Sequence, residues 1–254
     1  RVRRVARAFV RLMHAAGVRF AVLGTEERCT GDSARRIGEE FIFQALAAAN
    51  IETLNKYKVR RIVTHCPHCL NALTQDYPQF GGQYEVVHHS QLLADLLRQR
   101  RLPISHDKPA DGKPARRVTL HDPCYLARVH QIVAAPREVL QSALSGGDAL
   151  VEMERRGRNT FCCGAGGGRM WFEEAPTQRV GNLRGAEALA TGADTIGVGC
   201  PFCMTMMTDS MAQDSPDTRV LDIAELLAER LPDSAAVHQT SHSPTETDRK
   251  DQLP

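Results

Sequence analysis

Eight cysteines in 254 residues carry the chemistry open to this sequence. Five lie in the second half: Cys124, then 37 residues, the adjacent pair Cys162 and Cys163, then 36 residues, and Cys200 and Cys203 in a CxxC step. Adjacent and i,i+3 cysteines make poor structural disulfides but can grip one metal centre from several sides. An even cysteine count suggests a disulfide framework in a small secreted domain, yet this chain is large and shows no secretory signal. Five sulfurs exceed the four positions of a tetrahedral zinc, whereas iron–sulfur clusters are held by several thiolates. An iron–sulfur centre is the leading reading. Zinc, and a metal-free CxxC thiol–disulfide exchanger, are its competitors.

The neighbouring residues suit a bulky anionic group. Pro201 fits the first helical position, so Cys200 and Cys203 share a first turn whose amides point at whatever the sulfurs bind. The run Gly164–Gly168, interrupted only by Ala165, removes side chains where backbone must pass close to the group, and its N–H donors can form a nest. That run is too glycine-dense for a dinucleotide turn, so no nicotinamide or flavin fingerprint is present. His121 and Asp122, just ahead of Cys124, can hydrogen-bond to the ligands and tune the site, or cap the following turn.

A repeat places these residues. Adding 134 to first-half positions carries Cys29 onto Cys163, Cys66 onto Cys200, Pro67 onto Pro201 and Cys69 onto Cys203, with no gap from Cys29 to Leu97. Each copy alternates short apolar runs with amphipathic stretches. Strands are predicted at Val18–Leu23, Arg61–Thr64, Tyr84–Val87, Val118–Leu120, Ala149–Met153, Thr195–Val198 and Arg219–Leu221. Helices are predicted at Gly38–Leu54, Pro67–Asp76, Ser90–Arg100, Pro136–Ser145, Thr177–Thr191, Pro201–Gln213 and Ile223–Arg230. The expected fold is α/β: two Rossmann-like modules related by duplication, each with its metal site at the carboxyl ends of parallel strands. The modules are expected over residues 1–102 and 116–231, with a linker at 103–115 and a polar, disordered tail at 232–254.

The first copy is degenerate. Arg28 stands where the second copy has Cys162, and the counterpart of Cys124 would precede Arg1. Cys29, Cys66 and Cys69 are left as a candidate second site for zinc or another cluster. An upstream cysteine, or His65, His68 or His88, would complete it; the competing reading is an ordinary core with reduced thiols.

Three stretches resemble a known family: His121–Asp122–Pro123–Cys124 with Tyr125–Arg128, Phe161–Cys162–Cys163–Gly164 through Trp171, and Cys200–Pro201–Phe202–Cys203. The pattern is similar to the duplicated cysteine-rich CCG domain of heterodisulfide reductases, above all of their D-type component. It is also similar to that of the iron–sulfur components of glycolate oxidase and anaerobic glycerol-3-phosphate dehydrogenase. The resemblance covers about residues 1–231. It implies a [4Fe–4S] cluster of non-cubane type on the five cysteines. It also implies an oxidoreductase component that passes electrons from a flavoprotein or ferredoxin-type donor to a quinone, haem or disulfide. The alternative of another class is a zinc-stabilised binding module without redox role.

Composition narrows the rest. Hydrophobic residues make up 42% and charged residues 24%, the balance of a globular protein, and a net charge of +2 gives no sign of nucleic acid as a partner. The arginines among residues 1–11 alternate with apolar residues in helical fashion and read as a solvated face. No apolar run approaches the ~18 residues of a membrane span. Because the chain opens on Arg1 in mid-helix, an upstream part is expected, with a cytoplasmic location and a membrane or quinone link through that part. Trp171 and Phe172 are expected to pack on the sheet, Met204, Met206, Met207 and Met211 to fill core, and His88 and His89 to cap or sit on the surface.

Overall fold

The computed structural model describes residues 1–105, 115–173, 175 and 179–232. Most of the expected linker, the expected tail and the start of the helix predicted from Thr177 lie outside the described residues. The first half runs α1 (Val2–Ala15), α2 (Asp32–Arg36), α3 (Glu40–Lys56), β1 (Arg61–Thr64), α4 (Pro67–Asn71), β2 (Glu85–His88) and α5 (His89–Arg98). The second runs β3 (Arg117–Leu120), α6 (Ala134–Ala143), β4 (Ala149–Leu150), α7 (Val180–Leu189), β5 (Thr195–Val198), α8 (Pro201–Asp214), β6 (Arg219–Asp222) and α9 (Ile223–Ala228). All strand pairs are parallel: β1 with β2 in one sheet, and the order β4-β3-β5-β6 in the other.

The 134-residue offset reappears in the elements. It carries β1 onto β5, β2 onto β6, and the starts of α4 and α5 onto those of α8 and α9. Even the helix caps correspond. His88 caps α5 and Asp222 caps α9, each answered by the residue three positions on, Gln91 and Glu225, in a reciprocal capping box.

Two expectations need correction. Val18–Leu23 is not a strand; it leads into a single turn at Gly24–Glu26. The apolar content is there, but the first-half sheet has only two strands and Val22 is 75% exposed, so the segment has no ladder to join. Trp171 and Phe172 do not pack on the sheet: they are 68% and 60% exposed, just beyond the glycine run. The strand predicted from Ala149 pairs at Ala149 and Leu150 only, with Val151 N–H still donating to the Val118 carbonyl at 2.8 Å.

The two halves share one core. Phe9, Leu12 and Met13 of α1 and Leu93 and Leu96 of α5 pack with Val139 and Leu140 of α6 and Leu226 and Leu227 of α9. The pairing is exchanged: α1 lies on α9, and α5 on α6, so each half covers helices of the other. On the opposite face of the larger sheet, Ile196 and Val198 meet Met204, Met207 and Met211 from α8, as expected of core methionines. Helices α7 and α8 approach closely because Gly185 has no side chain there; a Cβ would collide with Ser210 Oγ and reach Met211 Cε at 2.9 Å.

Candidate metal centre

Each second-half cysteine sits just past the carboxyl end of a strand. Cys124 follows β3, Cys162 and Cys163 lie on the segment after β4, and Cys200 follows β5 as the N-cap of α8, with Pro201 at the first helical position. Parallel strands put these ends along one edge, so residues distant in sequence meet. Cys163, Cys200 and Cys203 are buried, and Cys124 and Cys162 are half-buried. The sulfurs form a chain: Cys124 lies 4.0 Å from Cys162, which interacts with Cys163, then Cys203, then Cys200.

The chain does not stop at the module boundary. Cys200 interacts with Cys66, and Cys66 with Cys69. Seven sulfurs thus run from one half into the other. Cys29 is apart and exposed; the Gly31 N–H donates to its sulfur at 3.4 Å, while Thr30 Oγ1 donates to Cys69 at 3.4 Å. Cys29, Cys66 and Cys69 do not form a trio within one ion's reach. Among the described residues, the single such trio is His121, Cys163 and Cys203, with ligand atoms within 4.8 Å of one another.

Charge settles unevenly along the array. Hydrogen bonds from Cys124 and Cys163, reinforced by the Gly164 N–H at 3.2 Å, hold the Cys162 thiol far below its ordinary range. Burial opposes ionisation of Cys200, but hydrogen bonds from Cys203 and Cys66 outweigh it and bring that thiol down to about 6. Their donors move the other way: Cys163 is pushed up to about 12 by its bond to Cys162, and Cys66 and Cys203 also rise.

Several histidines lie at the boundary between halves. His68 is buried, meets Asp32 at 3.0 Å, and stacks on Tyr125 at 4.2 Å and near Phe202 at 5.0 Å between ring centroids. His88 is filled at both nitrogens, by Ser90 Oγ and the Gly199 carbonyl, and so is not free to be a ligand. His89 meets Asp222 of the other half at 2.9 Å. His88 and His89 are both fully buried rather than on the surface, and His88 is the cap of α5.

Behind the five cysteines lies a network that sequence reasoning only partly found. Asp122 accepts both Arg137 amines, at 2.7 and 2.8 Å, and the Gly157 N–H at 2.6 Å, which locks the loop before Cys124. Arg184 was missed. It is fully buried on α7 and donates to His121 Nδ1 at 2.9 Å, to the Arg155 carbonyl at 3.0 Å and to Glu187 at 2.7 Å. A signal existed: Arg184 lies among Gly181, Gly185 and Ala188, a small-residue helix face that packs too tightly to be solvated.

Fold and site together define a duplicated cysteine-rich module that gathers thiols at a sheet edge. Both halves match the cysteine-rich (CCG) domain, over residues 2–74 and 118–208. The chain belongs to that family. It is 42% identical over 236 residues to the EtfAB:quinone oxidoreductase of Syntrophomonas wolfei, covering 89% of this chain and 32% of that protein. It is 41% identical to the probable iron-sulfur-binding oxidoreductase FadF of Bacillus subtilis, covering 91% and 32%. It is 35% identical to the D-type component of the dihydromethanophenazine:CoB–CoM heterodisulfide reductase of Methanosarcina barkeri, covering 87% and 54%. The chain therefore spans about a third to just over half of the length of these relatives. Among the described residues, no helix is long and apolar enough to cross a membrane.

Proposed function

We propose that this chain is the electron-transfer part of an iron–sulfur oxidoreductase, and that Cys124, Cys162, Cys163, Cys200 and Cys203 hold its [4Fe–4S] cluster, of the non-cubane type the family resemblance implies. The observation that carries this reading is the five-sulfur chain at the ends of β3, β4 and β5, spread wider than one ion yet continuous. When bound, such a cluster supplies one-electron transfer. The protein's part is to bury most of the sulfurs and to aim the Gly164 and Ala165 N–H groups at Cys162 and Cys163.

The names of the relatives support a wider proposal. Electrons arrive from a flavoprotein or ferredoxin-type donor and leave for a quinone, haem or disulfide. The rest of the protein supplies the membrane or quinone link, at the cytoplasmic face. Residues 1–102 and 116–231 act as two Rossmann-like modules; the parallel order β4-β3-β5-β6 favours this for the second. Cys66 and Cys69 form the core of a smaller candidate site for zinc or a second cluster, which needs ligands besides Cys29 because the three sulfurs do not gather within one ion's reach.

The zinc reading rests on one feature, the His121–Cys163–Cys203 trio. Metal content separates the two. Protein purified or reconstituted without oxygen is expected to be brown, to hold about four irons with matching sulfide per five-cysteine site, and to give an electron paramagnetic resonance signal on reduction. Colourless protein holding zinc alone would sink the cluster assignment.

A further inference from the structure

We infer that His121 is a fixed N–H donor to the sulfurs of the five-cysteine site, not one of its metal ligands, and that Arg184 is the positioning residue that makes it so. The effect on potential rests on the cluster reading above, but the tautomer does not need a metal.

Proton positions decide the matter. A guanidinium has donors only, and it is not deprotonated in proteins. Arg184 Nε donates to His121 Nδ1 at 2.9 Å, so Nδ1 must present its lone pair. A neutral imidazole has one proton, and with Nδ1 accepting, that proton is on Nε2. Nε2 is buried and has no hydrogen-bond partner among the described residues, and His121 is 0% exposed. A ring nitrogen of His121 lies within 4.8 Å of the Cys163 and Cys203 sulfurs, and with Nδ1 taken by Arg184 the nitrogen left to meet them is Nε2. An Nε2–H bond cannot coordinate a metal, because the lone pair that would do so is occupied by the proton. It can donate to an anionic sulfur.

Arg184 is itself held from several sides, by the Arg155 carbonyl, Glu187 and a longer contact to Thr160 Oγ1 at 3.4 Å, so the imidazole rests on a rigid cation. The repeat supplies a control. The position matching Arg184 is Asn50, which donates to the Cys29 carbonyl and to Tyr77 Oη at 2.9 and 3.0 Å. Both copies put a buried donor there, but only the copy with all five cysteines makes it a cation. A hydrogen bond to sulfur favours the more negative, reduced state, and a buried cation behind it adds to the same effect.

The first test uses the metal-free full chain with histidine labelled with nitrogen-15. His121 is expected in the Nε2–H tautomer; an Nδ1–H signal overturns the inference whether or not the protein binds iron. The second uses anaerobically loaded protein. Electron–nuclear double resonance on the reduced wild type is expected to show an exchangeable proton lost in deuterium oxide and no directly bonded nitrogen. A bonded-nitrogen coupling from His121, or no exchangeable proton, overturns it. His121→Phe is expected to shift the reduction equilibrium about tenfold toward the oxidised form, ~59 mV more negative for one electron. His121→Gln, whose amide can accept from Arg184 and still donate, should recover most of that shift. Arg184→Met should mix the two tautomers and Arg184→Lys restore one. Equal potentials across the His121 series overturn the inference, while absence of iron from every sample overturns the cluster reading and leaves the tautomer result standing.

Discussion

Cys162 and Cys29 hold nearly matching places in the two copies and meet different fates. Cys162 accepts hydrogen bonds from two neighbouring thiols and from the Gly164 N–H, so it is ready as a thiolate ligand. Cys29 is exposed, has Arg28 where its partner cysteine would stand, and joins no sulfur chain. Cys162→Ser or Cys163→Ser is therefore expected to remove most of the bound iron and change the reduced spectrum, while Cys29→Ser leaves both nearly intact. Iron analysis and paramagnetic resonance on the three variants check this; unchanged iron in both second-half variants would contradict the ligand assignment. The candidate ligands themselves were legible from residue type and spacing. Arg184 was not, because an arginine in an amphipathic helix is ordinarily read as its wet face.

At the scale of elements, strand ends do the positioning, and β3 and β4 are clamped at their start. Asp148 accepts the N–H groups of Arg116 and Ser145 at 2.8 and 3.0 Å, and the Arg116 guanidinium at 3.1 Å. Burial alone would raise its pKa, but these bonds outweigh it and lower the carboxyl from 3.8 to about 2. A folded-state value below the unfolded one means the stabilisation is present above pH ~4 and is lost as the pH falls through about 2. Asp148→Asn should lower stability at neutral pH and flatten the acid limb between about pH 4 and 2. Urea melts across that range measure it; parallel limbs for wild type and variant would refute the clamp. Most elements were readable within a few residues because periodicity and Pro or Gly punctuation are local. Val18–Leu23 was misread because an apolar run becomes a strand only where a neighbour offers a ladder.

Over the whole molecule, the exchange of helices between halves decides what can stand alone. Phe9, Leu12, Met13, Leu93 and Leu96 cover surface belonging to α6 and α9. Each such side chain contributes about 1.5–3 kcal/mol of burial, and a domain's whole stability is only about 5–15 kcal/mol. Residues 116–231 expressed without the first half are expected to be insoluble or to lack a cooperative thermal transition, while residues 1–231 melt as one unit. Circular dichroism and sedimentation decide it, and a cooperative soluble half would show that the shared core is dispensable.

The sequence by itself determined the duplication, the α/β alternation and the five cysteines, since a repeat offset, hydrophobic period and ligand spacing are properties of the chain read in order. Only the tertiary structure decided that Cys66 meets Cys200 across the halves, that α1 covers α9, and that Arg184 reaches His121. Those contacts join residues 63 to 134 or more positions apart, or depend on which helix face packs inward, and no local pattern encodes them. The five cysteines named the chemistry. The packing behind them sets the proton on the histidine that faces it.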